Sequence, residues 1–119
     1  AYLHAEGVPA GELKHGPLAL LGPTTPVVAL VGHDEHYGRM LTAVREVKAR
    51  GAPVLALAPR GDAEVLQVVD RLLGVPPTDP LLAPALYTVL LQLLAYYAGR
   101  ARGCPIDRPR NLAKSVTVY

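Results

Sequence analysis

Residues 27–58, VVALVGHDEHYGRMLTAVREVKARGAPVLALA, decide the fold of this chain. Their first and last parts, residues 27–31 and 53–58, are continuous apolar runs of the kind found in strands that are covered on both faces. Between these runs, apolar residues recur at helical spacing over residues 36–50, and Gly51 provides a helix stop. A strand, a helix and a second strand predict a crossover connection between parallel strands. We therefore expect an α/β fold, with a parallel sheet flanked by helices.

The residues that follow predict one further strand and one long helix. Residues 63–71 are compatible with a short helix or an irregular segment, and residues 71–75 with a short third strand. Asp79 is a suitable helix N-cap with Pro80 at the first helical position, and residues 81–98 follow as the predicted helix.

The predicted long helix is apolar on nearly every face, since Thr88 and Gln92 are its only polar residues apart from tyrosines. Pro84, Gln92 and the tyrosine pair at 96–97 interrupt it, so we expect it to pack against the sheet or another subunit rather than to cross a membrane. Residues 100–119 are rich in arginine, glycine and proline, and they predict an irregular tail.

The composition indicates one domain, or a piece of one, that contacts a partner. The chain has 119 residues, of which 50% are hydrophobic and 18% are charged. Small domains bury a smaller fraction of their surface than large ones, so we expect part of this apolar surface to contact another subunit or the rest of a longer protein. The start at Ala1 rather than at a methionine also suggests a fragment.

Charge and cysteine content indicate which partners and which cellular compartment to expect. The net charge is only +2 and the basic residues are scattered singly, so we expect no nucleic acid partner. Cys104 is the single cysteine and cannot form an internal disulfide, and there is no cysteine pair for structural zinc. This pattern, with no basic and apolar leader at the start, is typical of a cytoplasmic protein.

Residues 6–17 could supply acid and base groups. They contain Glu6, Glu12, Lys14 and His15 between glycines, which is typical of a flexible, polar catalytic segment. The simpler alternative is a solvated turn, which composition alone favours.

Two further features have a functional and a structural interpretation. Residues 33–36, HDEH, could bind a metal, but no third histidine or cysteine lies nearby and the position after a strand is typical of a surface loop. Lys114 could be a solvated surface charge, or it could form a Schiff base if its amine is partly desolvated.

Three motifs connect the chain to a known family. They are AGELKHGPLAL at residues 10–20, YTVLLQLLAY at residues 87–96 and DRPRNLAKSVTV at residues 107–118. Over residues 2–118 the chain resembles the C-terminal end of the glucosamine-6-phosphate synthase family, the isomerizing glutamine:fructose-6-phosphate aminotransferases. The final motif is the most specific, because other sugar isomerase (SIS) domain proteins close with only a related pattern.

The resemblance implies two SIS subdomains, with residues 1–119 as the later part of the second and residues 100–119 as its active-site tail. Lys114 matches the family's lysine that forms a Schiff base with C2 of fructose 6-phosphate. His15 matches the imidazole that opens the sugar ring in the neighbouring subunit's site, and Ala113 falls on a backbone contact to the sugar. The family makes glucosamine 6-phosphate from fructose 6-phosphate and glutamine-derived ammonia. The implied ligand is therefore a sugar phosphate and the implied assembly a homodimer, with no metal or cofactor.

Parts of the family's site have no match in this chain. The Ser/Thr/Gln loop that holds the phosphate belongs to the first SIS subdomain, and the glutaminase domain with its cysteine nucleophile is absent, for which Cys104 is no substitute. The carboxylate that moves the proton between C1 and C2 would lie upstream of Ala1, so Glu6 and Glu12 do not inherit its role. We expect the fragment alone to be inactive. Another SIS sugar-phosphate isomerase, an amino-sugar-phosphate deaminase and a non-catalytic sugar-phosphate-binding module stay open as alternatives.

Overall fold

A computed structural model of the chain describes residues 1–113 and Ser115. In chain order the elements are two 3₁₀ helices (Ala10–His15 and Pro17–Leu20), β1 (Val27–Leu30), α1 (Tyr37–Lys48), β2 (Val54–Pro59), α2 (Ala63–Leu66), β3 (Arg71–Val75) and α3 (Ala83–Ala101). The chain divides into two compact units, one formed by Glu6–Tyr87 and the other by Ala1–Ala5 with Thr88–Tyr119.

The strands of the Glu6–Tyr87 unit form a parallel sheet in the order β1, β2, β3. Val27 of β1 lies opposite Val54 of β2, and Leu55 of β2 lies opposite Arg71 of β3. Both pairs of strands are parallel, which confirms the predicted crossover topology. The third strand is found over the predicted residues, and α2 shows that the segment before it begins as a short helix.

Helix α1 packs on the sheet through the apolar residues that repeat at helical spacing. Leu41, Val44 and Val47 are each at most 2% exposed and belong to one core cluster with Val54 of β2. Burial of one such side chain contributes about 1.5–3 kcal/mol, so this contact is a main source of stability in the unit. The helix ends at Lys48, slightly before the predicted end, and Gly51 turns the chain toward β2 with a φ of +78°.

Helix α3 begins and ends later than the sequence predicts. Asp79 caps a turn and not the helix itself: its Oδ1 accepts the Leu81 N–H at 2.8 Å, and its carbonyl accepts the Ala83 N–H at 3.0 Å. The residues between Asp79 and Ala83 therefore form a turn, and the helix proper starts at Ala83. It extends to Ala101, and the chain turns at Gly103, whose φ is +65°. Among the described residues no helix has the length and apolar character needed to cross a membrane.

Candidate functional site

Asp62 organises the edge of the sheet at which the parallel strands end. It follows β2, and its side chain is only 3% exposed. Its Oδ1 accepts the backbone N–H groups of Glu64 and Val65 at 3.1 and 3.0 Å, which caps α2. The same carboxylate accepts the Tyr37 hydroxyl at 2.9 Å, and its Oδ2 lies 2.6 Å from His33 Nε2. His33, Tyr37 and Asp62 are named the Asp62 cluster below.

The contacts of the cluster favour the anionic form of Asp62 and the neutral form of Tyr37. Burial by itself raises the pKa of Asp62, but hydrogen bonds from the Val65 N–H, His33 and Tyr37 outweigh burial, so the pKa is lowered from its ordinary value of 3.8. Burial, followed by the hydrogen bond to Asp62, raises the pKa of Tyr37 to about 12. The His33 side chain is 59% exposed. The cluster therefore presents an accessible imidazole oriented by a buried carboxylate, which is a suitable arrangement for proton transfer.

A cleft of about 310 Å³ lies at the same edge of the sheet. It is lined by residues that follow the three strands and by the start of α3, among them His33, Asp34, Arg60, Thr78 and Tyr87. The buried Tyr87 hydroxyl donates to the Val31 carbonyl at 2.9 Å. Small ligands of open parallel sheets bind at this edge, where the loops after the strands form a crevice. The loop after β1, GHDEH, has no Ser, Thr or Gln, so this cleft is not built like the family's phosphate loop.

The two histidines of residues 33–36 do not converge on a common point. His33 contacts Asp62 at 2.6 Å, whereas His36 Nε2 lies 3.5 Å from Glu35 Oε1. Within residues 1–113 and Ser115, no group of three or more His, Cys, Asp or Glu side chains is placed to hold a metal ion. The segment is the surface loop that its position after a strand predicts.

His15 is the last residue of the first 3₁₀ helix, and it is exposed. Its neighbour Lys14 forms an ion pair with Glu46 of α1, with Nζ and Oε1 2.9 Å apart. A groove of about 550 Å³ separates this 3₁₀ helix from α1. Gly16 follows with a φ of +141°, a conformation that favours glycine, and leads into the second 3₁₀ helix. Neither 3₁₀ helix has a fully buried residue, but Leu13 and Leu18 are partly buried against the core of the sheet, so the segment is anchored and not a freely solvated turn. His15 itself is exposed.

Ala113 is exposed and lies in the irregular tail that follows α3. Lys114, the predicted Schiff-base residue, lies outside the described residues. The roles predicted for Lys114, His15 and Ala113 therefore stay predictions.

Sequence reasoning missed Asp62 and Tyr37. Asp62 directly precedes the residues of α2, and an aspartate before a short helical segment is an N-cap signal. Its contact with His33 spans 29 residues of sequence, and no local pattern reveals such a pairing.

The parallel sheet, its crossover helices and the cleft at its carboxyl edge define an open α/β domain. The chain belongs to the SIS family, because the family model described as the SIS domain matches residues 1–99.

The relatives of this chain carry the name of the family that its three motifs resemble. An isomerizing glutamine–fructose-6-phosphate aminotransferase from Methanosarcina acetivorans is 58% identical over 118 residues, which cover 99% of this chain and 19% of the relative. The enzyme of the same name from Thermus thermophilus is 48% identical over 118 residues, which cover 20% of that relative. The chain thus spans about a fifth of the length of these curated relatives.

A solved structure gives the same result for the fold. The C-terminal domain of glucosamine-fructose-6-phosphate aminotransferase from Francisella tularensis is similar with a TM-score of 0.80 and 36% identity, covering 90% of this chain and 30% of that chain. The predicted SIS-type fold and the resemblance to the C-terminal region of these aminotransferases are confirmed.

Proposed function

We propose that this chain is the C-terminal isomerase segment of an isomerizing glutamine:fructose-6-phosphate aminotransferase. The observation that carries the proposal is 58% identity over 118 residues to a relative of that name. In such an enzyme the chain would take part in converting fructose 6-phosphate and glutamine-derived ammonia into glucosamine 6-phosphate. It would be the later part of the second SIS subdomain, with residues 100–119 as the active-site tail.

Lys114 is the proposed nucleophile. Its unprotonated Nζ attacks C2 of the open-chain ketose, water leaves, and an imine forms. Ammonia then replaces the lysine nitrogen at C2, and a proton removed from C1 and added at C2 gives the amino sugar. Ala113 would contact the sugar through its backbone. A guanidinium stays protonated and cannot form the imine, so arginine cannot replace Lys114 in this step.

His15 is the proposed group for sugar ring opening, and it would act in the site of a neighbouring subunit. An imidazole can take and return the ring-opening proton near neutral pH. The exposure of His15 at the end of its 3₁₀ helix supports this role, because a group that acts across an interface must be accessible in one subunit. The proposal therefore includes a homodimer, and a cytoplasmic location that fits the single cysteine.

A chimera tests the role of Lys114. This chain replaces the matching segment of the Methanosarcina acetivorans relative, and glutamine-dependent formation of glucosamine 6-phosphate is measured. Borohydride added with fructose 6-phosphate should trap an adduct on Lys114, and Lys114→Arg should abolish both trapping and turnover. Lys48→Arg is the matched control, since Lys48 pairs with Asp70 and has no role in the proposed chemistry. Full turnover in Lys114→Arg would show that the Schiff-base assignment is wrong.

Mixed dimers test the role of His15. The His15→Ala chimera should be slowed at ring opening and the Lys114→Arg chimera should be inactive. Mixing them should restore part of the activity, because one site of a mixed dimer then receives both intact groups. An absence of complementation would place His15 in its own subunit's site or outside the chemistry.

Assays of the same chimera distinguish the proposed aminotransferase function from the three alternatives. A sugar-phosphate isomerase would interconvert the sugar without glutamine, and a deaminase would release ammonia from glucosamine 6-phosphate without glutamine. A non-catalytic module would leave Lys114 unreactive toward borohydride.

A further inference from the structure

We propose that Tyr2 is a positioning residue for the active-site tail, which it holds at Arg110, four residues before Lys114 in the sequence. The contact between Tyr2 and Arg110 is named the tail contact. The functional role of the tail contact rests on the proposed function of Lys114, whereas the existence of the contact does not.

Tyr2 contacts both the backbone and the side chain of Arg110. The Arg110 N–H donates to the Tyr2 hydroxyl at 2.8 Å, and the Arg110 guanidinium carbon lies 4.2 Å from the centre of the Tyr2 ring. The first contact fixes the main chain, and the second is a cation–π contact at short range. Two contacts from one side chain restrict both the position of Arg110 and the direction in which the tail continues.

The backbone on both sides of the tail contact is in the left-handed region. Tyr2 has a φ of +51° and Asn111 a φ of +61°. A residue with a side chain adopts this region at an energetic cost, which surrounding contacts must offset, although asparagine tolerates it better than tyrosine. The tail contact lies at both of these positions, since Tyr2 makes it and Asn111 follows directly after Arg110, and it is one interaction available to offset this cost.

Two further contacts hold the earlier part of the tail in the same unit. The Cys104 thiol donates to the Ala1 carbonyl at 3.6 Å. Gly99 of α3 leaves room for the chain, because a Cβ built there would lie 2.9 Å from Ile106 Cδ1 and 3.9 Å from the Cα atom of Ala1. The tail therefore passes Gly99, near the end of α3, and Ala1 before it reaches Arg110.

Amide hydrogen exchange tests whether the tail contact exists. Tyr2→Phe removes the acceptor and keeps the ring, so exchange of the Arg110 amide should accelerate about fivefold. Tyr2→Ala removes the ring as well, and exchange should accelerate about twentyfold. Tyr97→Phe is the matched control, because Tyr97 is 60% exposed and its ring contacts Tyr96. Equal Arg110 exchange in the unchanged chain and in Tyr2→Phe would overturn the proposal.

The chimera tests whether the tail contact positions Lys114. At saturating fructose 6-phosphate, Tyr2→Ala should lower the rate of borohydride-trapped adduct about tenfold with little change in KM, and Tyr2→Phe should restore part of that rate. Faster Arg110 exchange with an unchanged trapping rate would overturn the positioning role and leave the proposed function intact. Undiminished trapping in Lys114→Arg would instead refute the proposed function, and the positioning role with it.

Discussion

The Asp62 cluster and the tail contact both use a tyrosine hydroxyl to hold distant segments of chain, but in different surroundings. Tyr37 donates to a carboxylate that is 3% exposed, whereas Tyr2 is 37% exposed and accepts a backbone N–H from Arg110. Water can replace a hydrogen bond lost at the surface, but a buried partner is left unsatisfied. The cluster should therefore stabilise the fold, and the tail contact should control local order.

The largest expected effect is that of Asp62→Asn. The amide keeps the shape but removes the charge and one acceptor oxygen, so some of the donors from Val65, Tyr37 and His33 lose their partner. We expect the free energy of unfolding at pH 7, measured with urea, to fall by about 2–4 kcal/mol. Glu64→Gln is the control, because Glu64 is 54% exposed and its change should cost less than about 1 kcal/mol. Equal losses of unfolding free energy in Asp62→Asn and Glu64→Gln would show that the buried contacts of Asp62 stabilise the fold no more than the exposed contact of Glu64.

The same carboxylate predicts how stability depends on pH. The pKa of Asp62 is lower in the folded chain than its ordinary value of 3.8, so the folded chain binds fewer protons than the unfolded chain in acid. Its contribution is therefore present above about pH 5 and is lost as the pH falls through the lowered folded pKa. The pKa of Asp70 is also lowered, first by its hydrogen bond from Lys48, so part of the acid sensitivity should remain in Asp62→Asn.

Urea unfolding at a series of pH values checks this prediction. The difference in unfolding free energy between the unchanged chain and Asp62→Asn should narrow as the pH falls below about 4. A difference that stays constant from neutral to acid pH would show that the Asp62 charge does not contribute.

A smaller effect is expected at Tyr87, whose hydroxyl makes a buried hydrogen bond. Tyr87→Phe removes the hydrogen bond to the Val31 carbonyl, and the free energy of unfolding should fall by about 1–2 kcal/mol. Tyr97→Phe changes the same atoms at a site that is 60% exposed, and it should stay within about 0.5 kcal/mol of the unchanged chain. Thermal and urea unfolding of the two variants compare the contribution of a buried tyrosine hydroxyl to stability with that of an exposed one.

The smallest effect on global stability is expected for Tyr2→Phe. Its hydroxyl is at the surface, so the free energy of unfolding should change by less than about 0.5 kcal/mol while exchange of the Arg110 amide accelerates. A loss of global stability as large as that of Tyr87→Phe would show that the tail contact belongs to the cooperative fold and would contradict the comparison.

Local patterns predicted the elements of the sheet well and their ends less well. The apolar runs and the helical spacing of Leu41, Val44 and Val47 identified β1, α1 and β2, because these signals depend on residues close in sequence. The start of α3 was placed too early, because Asp79 caps a turn that precedes the helix, and turns and helix N-termini favour the same residue type.

By itself the sequence determined the α/β class, the strand–helix–strand order and the family, since periodicity, stop residues and the three motifs are all local properties of the chain. The tertiary structure alone decided the contacts of Asp62 with His33, 29 residues away, and of Tyr2 with Arg110, 108 residues away. Such pairs depend on where the carboxyl edge of the sheet and the tail come to lie after the chain has folded. The identity and spacing of these residues in the sequence carry no signal of that position.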